Sequence, residues 1–288
     1  MKPAPFAYEE PRSVEEALEL LARYGDEAKV LAGGQSLIPL LNFRLARPER
    51  LVDVNRIDEL AYIRREGGAL HIGAVTRMAT LEHSALVAAR WPLLAEAARL
   101  VGHPEIRSRG TVGGSVAHAD PAAELPAALT ALGASFHARS QRGARTFAAD
   151  ELFVTHLTTA LEPDELLVEI TVPPLPPSAG AAVVEHARVH GDFALGGAAV
   201  MVALAEDGAC ACASIVLLAA APTPLRAVGA EKELAGTRLA DAELTEAAEL
   251  AAGELDVSGS ERPHRSALAA ELTRRALGLA LERARAAA

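Results

Sequence analysis

The sequence predicts an α+β protein built from more than one structural unit, and three observations carry that expectation. Helical periodicity opens the chain between Ser13 and Gly25 and returns through its alanine-rich last fifty residues. Short strand-like runs, some bounded by glycine pairs, fill much of the middle. The segment Pro173-Pro174-Leu175-Pro176-Pro177 then interrupts the pattern, because consecutive prolines neither continue a helix nor donate in a central strand. With 288 residues, 50% of them hydrophobic, the chain is long enough to bury a full core and to divide into two or three units.

Each element follows from a local signal. Ser13 and Glu16 make a capping box, and Ala17, Leu18, Leu20 and Leu21 continue it as a helix until Gly25. Lys29 to Ala32 reads as a strand entering a tight turn at Gly33-Gly34, and Leu51 to Val54 reads as the next strand. Gly67-Gly68 separates two further strand runs as a hairpin that opens a second unit near residue 60. Helical spacing runs from Thr80 to Leu100, with Pro92 opening its second half and Gly102 ending it. A polar loop is expected from His103 to His118, then a helix within Pro121 to Leu132, and strands around Phe136, Phe147 and Leu166 to Val172. Beyond the prolines, two strands flank an Asp207-Gly208 turn and lead into the terminal helices, a small sheet covered by helices. The expected units are residues 1–58, 59–176 and 177–288.

Charge and composition exclude several function classes. Asp and Glu outnumber Lys and Arg by 38 to 28, a formal charge of -10 with no basic run, which argues against nucleic acid or an anionic membrane as partner. The N-terminus lacks the apolar core of a secretory signal, and Ala209 to Pro222 is too short to span a bilayer, so a cytoplasmic location is expected. The two cysteines, Cys210 and Cys212, are expected on one strand face as small buried apolar side chains; an iron–sulfur cluster normally takes four. No His-Glu-x-x-His or close Cys/His grouping marks a metal site.

The chemistry lies in two glycine loops. Ala32-Gly33-Gly34-Gln35-Ser36 follows a strand, and Thr111-Val112-Gly113-Gly114-Ser115 lies in the polar loop. Successive glycines let amide N–H groups converge on a bulky anion, so a diphosphate is the natural occupant. Ser36, Thr111 and Ser115 would add hydroxyl hydrogen bonds, and Lys29 a positive charge. Either loop alone is a common structural turn. The pair fits neither a P-loop, which needs Gly-Lys-Ser/Thr, nor a Rossmann Gly-x-Gly-x-x-Gly unit, and a dinucleotide held between two distant loops remains.

These two loops, with Ala117-His118-Ala119-Asp120-Pro121-Ala122-Ala123-Glu124 and Gly191-Asp192-Phe193-Ala194, resemble the FAD-binding medium subunit of carbon monoxide dehydrogenase, xanthine dehydrogenase and related molybdenum hydroxylases over nearly the whole chain. The resemblance implies a two-part FAD-binding fold of the vanillyl-alcohol oxidase type, followed by a small C-terminal α/β domain. It implies that both diglycine segments wrap the FAD diphosphate, with Lys29 and Asp120 as further contacts and Phe193 near the isoalloxazine ring. Gln35 stands where some members have His, and Ser115 where many have Asn. It implies two partners: a small subunit carrying two-iron two-sulfur clusters, which passes electrons to the FAD, and a large subunit carrying molybdopterin.

Plainer readings accompany several of these residues. Asp120-Pro121 also reads as a helix N-cap with a first-turn proline, and Phe193 as core in a chain with few aromatics. His118 warrants testing because it adjoins a proposed FAD loop. Two other functions compete: a self-contained FAD-dependent oxidase or reductase of the same fold, distinguished by a flavin absorbance change when substrate meets the lone chain, and a non-catalytic nucleotide-binding module or flavin-free scaffold, distinguished by a colourless protein that FAD does not reconstitute.

Overall fold

Strands β1 (Ala7–Glu9), β2 (Ala28–Leu31) and β3 (Arg50–Asp53) form a parallel sheet in the order β1-β3-β2, with helix α1 (Val14–Tyr24) after β1 and α2 (Leu37–Asn42) in the β2–β3 crossover. The coordinates are a computed structural model describing residues 2–256 and 258–288. Ser13 Oγ accepts from the Glu16 amide at 3.2 Å, but the Glu16 carboxylate reaches the Arg12 amide at 2.7 Å rather than that of Ser13, so only half of the capping box closes. Val14, Ala17, Leu18 and Leu21 recur on one helical face and bury it in a cluster with Val52, Val54 and Ile57.

The next sheet is antiparallel, in the order β4-β5-β10-β6-β7. It comprises β4 (Ile63–Glu66), β5 (Ala69–Gly73), β6 (Ser135–Ser140), β7 (Gly143–Phe147) and β10 (Leu166–Val172). Between β5 and β6 lie α3 (Met78–Glu82), α4 (Ala85–Arg90), α5 (Pro92–Leu100), α6 (Pro104–Arg109), α7 (Val112–His118) and α8 (Glu124–Ala131). Between β7 and β10 come α9 (Ala149–Leu152) and the small pair β8 (Phe153–Thr155) and β9 (Thr158–Thr159).

Three expectations are corrected here. The helical stretch from Thr80 to Leu100 is three helices, because Ser84 caps α4 by accepting from the Val87 amide and Trp91 ends it before Pro92 starts α5. The expected loop from His103 to His118 is largely helical. Pro104 sits in the first turn of α6, Thr111 caps α7, and the fully buried Val112 and Val116 supply packing that overrides the weak propensity of two glycines. Helix α8 starts at Glu124, so Asp120-Pro121 does not cap it. Its third residue, Pro126, is tolerated because first-turn amides have no intrahelical acceptor.

The third sheet, β11 (Ala179–His186), β12 (Gly196–Leu204), β13 (Cys210–Leu218) and β14 (Leu225–Arg226), is antiparallel in sequence order. Helices α10 (Val228–Leu234), α11 (Asp241–Gly253) and α12 (Arg262–Ala287) follow it. Alternation along β12 explains its two covered faces: Ala198, Val200 and Val202 join the core under α10–α12, while Ala199 and Met201 join the core of the preceding unit. The Trp91 indole also donates to the Pro173 carbonyl at 2.7 Å, pinning the start of the proline segment. The cysteines depart from expectation. A register shift opposite Ala203 and Leu204 places a bulge between them, leaving Cys210 buried and Cys212 exposed.

Candidate functional site

Loop one leaves the end of β2. Gly34 has φ +74°, a left-handed conformation that favours glycine, and lets the chain turn into α2. The carbonyls of the turn are held from behind: Ala32 O accepts from Asn55 Nδ2 at 2.6 Å, Gly33 O from Gln35 Nε2 at 3.0 Å, and Gly34 O from the Ile38 amide at 2.9 Å. A trans peptide points its N–H opposite its C=O, so these bonds turn the Gly33, Gly34 and Gln35 amides the other way. Among the described residues, the amides of Gly33, Gly34, Gln35 and Ser36 have no hydrogen-bond acceptor. The loop is half-buried and Ser36 exposed. Four such donors in succession form a concavity suited to an anion.

Loop two is built differently. Arg107 anchors α6 just before it: the guanidinium donates to Glu82 Oε2 at 2.7 Å and to the Val101 and Gly102 carbonyls at 3.2 Å, and both charged side chains are buried. The following backbone pairs with Ala74–Met78: Met78 donates to Gly110 O at 3.0 Å, Val112 to Thr76 O at 2.9 Å and Gly113 to Ala74 O at 2.8 Å. Thr111 Oγ1 accepts from the Gly114 amide at 3.0 Å, and Ser115 N donates to Thr111 O at 3.1 Å. The Val112–Ser115 amides are therefore spent inside the protein. What this loop offers outward is the Ser115 hydroxyl and a backbone close enough to shape the first loop.

The two loops touch. A Cβ on Gly33 would stand 2.5 Å from Arg109 O and 2.7 Å from Gly110 Cα, and one on Gly114 would meet the Ala32 methyl at 3.6 Å. Gly113 lies equally tight against Ala74. Sequence reasoning missed the two residues that join the loops. Arg77 donates through Nη2 to Asn55 Oδ1 at 2.7 Å and through Nη1 to the Arg109 carbonyl. Burial, then repulsion from Arg109, lowers the Arg77 pKa, with Asp53 opposing. Asn55 follows a strand by two residues, a weak signal; Arg77 carries none.

The other expected residues are distributed unevenly. Lys29 is exposed and, by strand alternation, shares a face of β2 with Leu31, which adjoins Gly34. Asp120 lies past the opposite end of α7 and accepts from the Ala122 amide at 2.9 Å in a local turn. His118 beside it is pushed below its usual pKa by burial, Asp120 opposing. Phe193 is 70% exposed, which rules out the core reading. Its loop meets the far end of α6, where a Gly191 Cβ would stand 2.6 Å from the His103 ring. A cleft of about 130 Å³ beside Asn55 and Arg77 is smaller than the roughly 300–1,000 Å³ of ordinary ligand sites.

Comparison with known proteins identifies the family. Residues 4–175 match the FAD binding domain in molybdopterin dehydrogenase, and residues 181–280 match the CO dehydrogenase flavoprotein C-terminal domain. The chain is 47% identical to the 6-hydroxypseudooxynicotine dehydrogenase complex subunit alpha of Paenarthrobacter nicotinovorans, over 99% of this chain and 97% of that one. It is 40% identical to the carbon monoxide dehydrogenase medium chain of Hydrogenophaga pseudoflava, over 98% and 99%. Among solved structures, carbon monoxide dehydrogenase from the same organism, lacking the Mo-pyranopterin moiety of its cofactor, superposes with TM-score 0.94 at 41% identity, covering 98% and 99% of the two chains. Quinoline 2-oxidoreductase from Pseudomonas putida 86 superposes with TM-score 0.92 at 36% identity, covering 99% of each. The chain therefore belongs to the FAD-binding flavoprotein family of the molybdopterin dehydrogenases, oxidoreductases of the molybdenum hydroxylase type, and carries their CO dehydrogenase flavoprotein C-terminal domain.

Proposed function

We propose that this chain holds one noncovalent FAD across the two loops and works in a complex with a small subunit carrying two-iron two-sulfur clusters and a large subunit carrying molybdopterin. The observation that supports this most is that, among the described residues, the amides of Gly33, Gly34, Gln35 and Ser36 have no acceptor, in a loop that touches the second one. These amides, with the Ser36 and Ser115 hydroxyls and the Lys29 charge, bind and orient the diphosphate; Thr111 holds the Gly114 turn behind it. When bound, FAD supplies the redox chemistry, taking electrons from the iron–sulfur partner and delivering them to an external acceptor. Asp120 contributes from past the end of α7, toward the ribose, and Phe193 from the β11–β12 loop that meets His103, toward the isoalloxazine ring. The division into 1–58, 59–176 and 177–288 assigns the loops to the first two units, whose contact sets the grip. The complex is cytoplasmic.

Purification from the native host tests this reading. One FAD per chain, with stoichiometric iron and molybdenum in two co-purifying subunits, is expected. Recovery of the chain as a free monomer or homo-oligomer that turns over substrate unaided would favour the self-contained oxidase.

A further inference from the structure

We infer that Asn55 and Arg77 act together as positioning residues, tying the two loops at the one spacing that keeps the Gly33, Gly34 and Gln35 amides aimed at the diphosphate. The inference rests on the reading of these loops as the flavin site.

The Asn55 amide is oriented by its surroundings. Its Nδ2 lies 2.6 Å from Ala32 O and 2.6 Å from Asp53 Oδ1, two acceptors that only the NH2 end can satisfy. The Asn55 backbone amide donates to the same Asp53 oxygen at 2.9 Å, and Tyr8 donates to the other at 2.5 Å, so the carboxylate is fixed from the neighbouring strand β1. The Asn55 carbonyl is thereby left to face Arg77, 2.7 Å away. The other arm of the same guanidinium reaches the Arg109 carbonyl, whose oxygen is what a Gly33 side chain would strike. A continuous chain of hydrogen bonds thus runs from Ala32 in one loop, through Asn55 and Arg77, to Arg109 at the end of α6, which leads into the other. Its two ends hold backbone carbonyls, and fixing those carbonyls fixes the peptide planes on which the grip depends.

The planar fork of arginine suits this work because it presents two donors in fixed relation to two acceptors, Asn55 Oδ1 and the Arg109 carbonyl, on different segments. A lysine offers one flexible point charge and does not hold both. Neither residue needs to touch the cofactor.

The test measures FAD and ADP binding to the flavin-free full-length chain, wild type and with Asn55→Ala, Arg77→Met, Arg77→Lys and the double variant Asn55→Ala/Arg77→Met. Each single variant is expected to weaken FAD by about ten- to a hundredfold, and ADP by the same factor, because the tie acts on the diphosphate. The double variant is expected to be no weaker than the poorer single, the mark of one coupled device. Wild-type affinity in Arg77→Met, losses that multiply in the double variant, or weakened FAD with unchanged ADP would each overturn the inference. If Arg77→Met does not fold, Asn55→Ser carries the same expectation with Arg77 in place. A wild-type chain that takes up neither ligand would instead overturn the assignment of the loops as the flavin site.

Discussion

Replacing Gly33 with alanine adds one methyl group where the two loops meet. Its Cβ would stand 2.5 Å from Arg109 O, 2.7 Å from Gly110 Cα and 3.0 Å from the Arg109 carbonyl carbon. All three are backbone atoms, so no side-chain rotation relieves the clash. Ordinary contact begins at 3.4 Å, and the loops must therefore part by about 0.9 Å, the difference between 3.4 and 2.5 Å. Taken up at the 2.7 Å bond from Arg77 to Asn55, which ties the two sides, that displacement reaches about 3.6 Å, beyond a hydrogen bond. The apoprotein should lose about 1–3 kcal/mol from overpacking. FAD should bind about a hundredfold more weakly, as the amides lose their aim on a charged group. Gly34→Ala makes the contrast. Its new methyl meets only the side chains of Ile38 at 3.1 Å and Leu31 at 3.2 Å, and its cost lies in the left-handed φ, about 1–2 kcal/mol, with the loop spacing kept. Flavin fluorescence titration beside chemical denaturation of each apoprotein separates the two effects. Wild-type FAD affinity in Gly33→Ala would refute the argument that loop spacing sets the grip.

Three other outcomes follow from the structure. Burial raises the Glu124 pKa to about 8, with Glu185 and Asp120 adding repulsion, and burial raises Glu185 to about 7; the Glu185 Oε2 atom is buried without a partner. Both groups are favoured protonated in the fold, so their penalty is absent below about pH 4.5 and grows as pH rises through 7 and 8. Glu124→Gln should then melt clearly above wild type at pH 9, by at most a few kcal/mol of stability, and nearly with it at pH 5; equal melting at pH 9 would contradict this. Phe193→Ala should leave apoprotein stability within about 0.5 kcal/mol, because the side chain is 70% exposed, while changing the bound flavin's spectrum or reoxidation rate; an unaltered flavin would remove Phe193 from the site. Gly278→Ala, inside α12 with no atom within 4 Å of the new Cβ, should stabilise the chain by about 0.5–1 kcal/mol in denaturant titrations, and a loss would mean that the helix needs the glycine.

Much of this was legible because it rests on local rules. The capping serine, the Gly67-Gly68 and Asp207-Gly208 turns, and the proline segment each announce their structure within a few residues. The loop from His103 to His118 was not legible as helix, since α7 exists through the burial of Val112 and Val116 and the pairing of its first residues with Ala74–Met78. The two cysteines misled for a similar reason: period-2 alternation holds only without a bulge, and a bulge is set by the partner strand. At the site, the diglycine loops were visible as motifs, but their different roles were not. Which amides are spent and which are free depends on Asn55 and the Ala74–Met78 segment, contacts spanning tens of residues, as well as on the local Gln35 bond to Gly33.

The amides of Gly33–Ser36, braced by the second loop, are proposed to hold one FAD. Titrating flavin-free full-length chain with FAD, then denaturing the product and quantifying what is released, tests it most directly. Saturation at one FAD per chain, released intact and retained only weakly by Gly33→Ala, is the result predicted here; a chain that saturates with no flavin, or one that holds it as tightly without the glycine, would contradict it.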